Sequence, residues 1–66
     1  MEKHFKVGDM VRGTDDHYGI TNKDMTKGLV IALMPDNEIT IEVVEHKHSK
    51  YVGQRHTVKS EYFDIA

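Results

Sequence analysis

The chain has no cysteine and no tryptophan, and it holds a single proline. Without cysteine it has no disulfide, no thiolate metal ligand and no thiol nucleophile. Long apolar runs are missing too. The longest, Leu29 to Met34, falls far short of the ~20 residues a membrane-spanning helix needs. Residues 1–6 lack the apolar stretch of a secretory signal, so the expected compartment is the cytoplasm. A G-x-S-x-G elbow and a phosphate-binding glycine loop are both absent, and a domain this small has little room for a cleft that excludes water. No enzyme and no cofactor are expected. Positive charge is not in excess either. Nine basic side chains face eleven acidic ones, for a net charge of −2, whereas a dedicated nucleic-acid binder is usually more basic.

What is present is 66 residues, enough for one domain spanning 1–66. A chain of this size buries only about 60% of the surface its unfolded form exposes, so its stability margin is thin. Charge is unevenly placed. Residues 29–45 carry Asp36, Glu38, Glu42 and Glu45 and no basic side chain, whereas residues 46–60 carry Lys47, Lys50, Arg55 and Lys59 and no acidic one. The spacing predicts that Glu42 and Glu45 pair across a hairpin with Arg55 or Lys50.

Turn signals cut the rest into short strands. Gly8-Asp9 precedes a strand over Met10–Thr14 with Val11 pointing inward. Residues 14–27 are too polar and irregular for a strand and form one long loop. Within it, Thr21 and Asp24 have the spacing of a capping-box variant, which predicts one helical turn over Asn22–Lys27 ended by Gly28. Leu29–Met34, six apolar residues including Val30 and Ile31, reads as a strand buried on both faces or covered on one by the loop. Pro35-Asp36-Asn37 is a turn. Ile39, Ile41 and Val43 then alternate with Thr40, Glu42 and Val44, so the odd positions face the core. A fourth strand is expected over Arg55–Val58, a 3₁₀ turn over Ser60–Phe63 and a fifth short strand over Asp64–Ala66. Phe5 is expected to pack beneath the assembly.

This order of elements resembles the SH3-like small β-barrel over residues 7–66, an all-β fold of five strands, here with a short helical turn in its first long loop. Val7-Gly8-Asp9-Met10-Val11 is similar to the VGDxV entry of SH3-like and KOW-type barrels. Gly28-Leu29-Val30 resembles the Gly-x-Val step after their first loop. The chain is also similar in style to small proteins of bacteriophages and Firmicutes. The resemblance implies a protein-binding surface in which Asp15 and Asp16 stand for the acidic loop of peptide-binding SH3 domains, and Tyr18, Tyr51 and Tyr62 for the aromatics. The tryptophan that floors such a peptide site is missing.

The leading expectation is therefore a non-catalytic protein-interaction module, an accessory factor of a phage or mobile element binding a host protein. Loop 14–27 supplies the contact through Tyr18, while Ile20 and Met25 extend the core. The alternative is a KOW-like barrel binding RNA or single-stranded DNA through Lys47, Lys50, Arg55 and Lys59. His46, His48 and His56 are the one histidine group with metal-ligand character. The neighbouring lysines repel a cation and no acid lies between positions 46 and 60, so no metal is expected. The chain is expected to be a monomer or a homodimer, because barrels this small often bury an edge strand in a partner.

Overall fold

The computed structural model describes residues 4–17 and 19–66. The protein is all-β. Five strands, β1 (Met10–Gly13), β2 (Thr26–Met34), β3 (Glu38–His46), β4 (Arg55–Lys59) and β5 (Phe63–Ile65), form one antiparallel sheet in the order β4-β3-β2-β1-β5. Two 3₁₀ turns, η1 (Ser49–Tyr51) and η2 (Ser60–Tyr62), flank β4. The hydrogen-bonded ladder is open, with β4 and β5 as its two edges. Among the described residues no helix is long and apolar enough to cross a membrane.

Alternation decides which side chains go inside. On β3, Ile39, Ile41 and Val43 are buried, and the residues between them are only partly so. Val11 of β1 and Val30 of β2 complete the inner face, and both are fully buried. Phe63 at the start of β5 and Phe5 close the cluster, against which Ile20 and Val58 pack. Phe5 reaches it because the chain before β1 turns back on β2. The Gly8 N–H donates to the Val30 carbonyl at 2.8 Å, and the Val30 N–H donates to the Asp9 carbonyl at 2.9 Å.

Two expectations are corrected. First, the run Leu29–Met34 is not buried on both faces. Only Val30 is buried in it, while Leu33 and Met34 are 54% and 43% exposed. A register shift between Val30 and Ala32 interrupts the alternation, and the strand leaves the core after it. Second, the turn expected over Asn22–Lys27 stops short, because Thr26 and Lys27 belong to β2, and Gly28 is not its cap. The Asn22 carbonyl accepts the N–H groups of Met25 and Thr26 at 3.4 and 3.3 Å, closing one turn. Thr26 then enters β2, opposite His46. Six residues cannot sustain a helix when a strand partner competes for the same backbone groups. Gly28 sits in mid-strand, facing Ile41 side-chain atoms at 3.0 Å from where its Cβ would be.

The turn between β2 and β3 is tight. Asp36 and Asn37 both adopt left-handed backbone, with φ of 63° and 60°. Asn and Asp tolerate that region best among residues other than glycine.

Candidate functional site

The described part of loop 14–25 is a folded unit. Asp15 pairs with Asn22 in an isolated bridge, its N–H donating to the Thr21 carbonyl and its carbonyl accepting the Lys23 N–H. The Asp15 carboxylate takes two hydrogen bonds from His17, one from its N–H at 3.3 Å and one from ring Nδ1 at 3.1 Å. The Thr21 hydroxyl adds a third at 3.1 Å. These bonds hold the Asp15 carboxyl below its ordinary pKa, the His17 ring contributing most, while partial burial opposes them. Buried Asn22 ties the rest together. Its Nδ2 donates to the His17 carbonyl at 2.9 Å, and its Oδ1 accepts the Asp24 N–H at 2.8 Å. The side-chain acceptor expected from Thr21 thus comes from Asn22, one residue later. Asp16 stands outside this network and pairs with Lys23 Nζ at 2.7 Å, which raises the lysine pKa.

The loop is tied to the end of β3 through two carbonyls, that of Met25, which accepts the Lys47 N–H at 3.2 Å, and that of Gly19. Gly19 O accepts the Asn22 N–H, the Thr26 hydroxyl and His46 Nε2, the last two at 3.3 Å. His46 Nδ1 accepts the His48 N–H at 2.9 Å. A carbonyl only accepts and a backbone N–H only donates, so the partners assign His46 the Nε2–H tautomer. Tyr51, half-buried in η1, lies against this ring with centroids 4.6 Å apart. Lys50 Nζ sits 5.1 Å from the centroid of the Tyr51 ring.

Beside these residues runs an open groove of about 560 Å³. Met25, Val44 and Val52 give it an apolar floor; Asp24, Glu45 and Lys47 give it a charged rim. Met25 was expected in the core and instead faces this groove in part. Val44 was the visible signal, the one apolar residue in the outward series Glu38, Thr40, Glu42, Val44, His46 of β3. Val52 follows η1 and is 48% exposed, and nothing in the sequence brings it to Met25.

The residues singled out in the sequence do not converge. Asp15 is spent inside the loop and Asp16 on Lys23. Tyr51 stands at the His46 end of the loop. Tyr62 lies in η2 at the other end, where its carbonyl accepts the Thr14 N–H at 2.9 Å. Tyr18 lies outside the described residues. His56 Nε2 bonds Gln54 Oε1 at 2.9 Å, on the strand beyond β3 from the loop. Among the described residues no three histidine, aspartate or glutamate side chains gather as a metal site.

The basic residues of β4 are matched in register by acids of β3. Arg55 stands opposite Glu42 and Lys59 opposite Glu38, and Arg55 Nε reaches Glu42 Oε1 at 3.2 Å. Glu45 pairs with Lys27 of β2 at 3.5 Å rather than with Lys50. Arg12 of β1 stands opposite Asp64 of β5. Between β2 and β4 the outer face of the sheet thus sets cations against acids, whereas β1 sets Arg12 opposite Lys27. Compared with known families, curated proteins and solved structures, the chain matches none.

Proposed function

We propose that the chain is a non-catalytic protein-interaction module of the SH3-like small-barrel type, and that it binds through the groove beside loop 14–25. The barrel reading is supported by curvature. Four interstrand gaps of ~4.8 Å would hold the edge strands of a flat sheet about 19 Å apart. Here Val58 of β4 and Phe63 of β5 meet on one core cluster.

The observation that carries the binding reading is the apolar floor of Met25, Val44 and Val52 within a rim of both charge signs. An exposed apolar strip edged by mixed charge suits a protein side chain, with Tyr51 beside it as an amphipathic anchor. A phosphate backbone asks for unopposed cations, and Arg55 already faces Glu42. Lys47 shares the groove rim with Asp24 and Glu45.

The test is site-specific photo-crosslinking in the source cell, with the reactive group at Val52 and, as control, at exposed Val7, which lies outside the groove. A protein adduct at Val52 that disappears in Met25→Ser is the expected result. Adducts to RNA or DNA at Val52, or adducts equal at both positions, overturn the reading.

A further inference from the structure

The open edge of β4 is a second surface, independent of the groove. Ladder bonds alternate along an antiparallel pair. The Ser60 N–H donates to the Asn37 carbonyl at 2.8 Å, which fixes the phase. The registered pairs Ile39–Val58 and Ile41–His56 then carry the bonds between β3 and β4. Thr40 and Thr57 form the intervening pair, and their hydroxyls meet at 2.9 Å, as close side chains at a non-bonded position should. The backbone N–H and carbonyl groups of Arg55 and Thr57, and the N–H of Lys59, therefore point away from β3. No strand lies beyond β4, and none of these groups has a backbone partner among the described residues.

Side chains on this edge select what can join it. Arg55 and Lys59 flank Thr57 on the outer face, all three exposed. An antiparallel copy of β4 centred on Thr57 would set Arg55 of each molecule against Lys59 of the other, and like charges directly opposite repel. The β3 strand, already seated on the opposite edge, shows what fits: Glu38 faces Lys59, Thr40 faces Thr57 and Glu42 faces Arg55. Lys59 has no carboxylate within ion-pair distance among the described residues, although Glu38 stands in register with it.

We propose that the β4 edge captures an extended acidic peptide by strand addition, the peptide carrying carboxylates on either side of a hydroxyl residue and apolar residues between. Main-chain bonds to Arg55, Thr57 and Lys59 supply the affinity. The two cations supply direction against other sequences. The apolar positions of the peptide extend the inner face beside His56 and Val58.

A suitable probe is a synthetic peptide with the sequence of residues 37–43, titrated into the ¹⁵N-labelled protein and followed by NMR. The expected result is saturable shifts and slowed hydrogen exchange at the amides of Arg55, Thr57 and Lys59. A peptide with both glutamates replaced by lysine should bind about tenfold more weakly, from two reversed charge pairs. Lys59→Gln should weaken the original peptide by roughly threefold. Equal binding of the lysine peptide overturns the proposal. So do shifts confined to the groove, no shift at millimolar peptide, or concentration-dependent protection of the same amides without peptide, which marks a second copy as the occupant. Val52→Glu separates the two surfaces, for it should abolish groove contacts and leave this titration unchanged.

Discussion

Gly13 is the residue whose side chain the fold forbids. A Cβ there would overlap the Thr21 carbonyl oxygen and stand 2.5 Å from that of Asn22. Both obstacles are backbone, so they cannot rotate away. Gly13→Ala should cost about 1–3 kcal/mol, the range for overpacking a closed site, in a urea melt. A loss below about 0.5 kcal/mol would show that the loop shifts freely on the sheet. Asp15 carries a different kind of dependence. Its carboxyl is held below its ordinary pKa in the folded protein, so its contribution is fully present above the unfolded value. It is lost as pH falls through the folded one, below about pH 4. NMR should therefore show the amides of His17 and Lys23, bonded to the Asp15 carboxylate and carbonyl, losing protection in acid before the strands do. Asp15→Asn should already show that loosened loop at neutral pH, and an unchanged loop in the variant would contradict the role assigned to the carboxylate.

At the scale of elements, the β2–β3 hairpin depends on two left-handed residues in succession. A side chain in that region costs roughly 1–2 kcal/mol unless it is Asn, Asp or Gly. Asn37→Val should lower stability by about that amount, and Asn37→Gly should leave it nearly unchanged. Equal melting temperatures for the two variants would mean that the turn has relaxed into another form. The β3–β4 pairing sets acids beside the basic stretch 46–60. Its strand, β4, lies beside the acidic strand, and register sets Arg55 against Glu42 and Lys59 against Glu38. Exposed pairs of this kind contribute little to stability, typically below about 1 kcal/mol each. Their effect is on recognition: Glu42 already holds Arg55, which weakens the pull of this face on a polyanion.

For the molecule as a whole, a core this small leaves little reserve. Domains below about 70 residues rarely draw more than ~3–5 kcal/mol from a single core. Phe63 is fully buried at the point where β5 joins the sheet, in the one cluster that holds both edge strands. Replacing a buried phenylalanine by alanine typically costs about 3–5 kcal/mol, comparable to the whole margin. Phe63→Ala should thus be largely unfolded at 25 °C by circular dichroism. A cooperative melt near the wild-type temperature would place the main core elsewhere.

Local patterns in the sequence determined the five strands apart from the start of β2 and the bounds of the others, the inward residues Val11, Ile39, Ile41 and Val43, and the turn at Pro35–Asn37. Each depends on neighbours within a few positions, through pleat alternation and the left-handed tolerance of Asn and Asp. The Glu42–Arg55 pair was legible too, because a hairpin brings nearby segments into register. Only the tertiary structure decided that Leu33 and Met34 are exposed, since the register shifts between Val30 and Ala32 and the strand leaves the core that its apolar run implies. It also decided that Asn22 organises the loop and that Met25, Val44 and Val52 share a groove. Those contacts join the loop to the far end of β3 and to η1, at separations where no periodicity links one residue to the next.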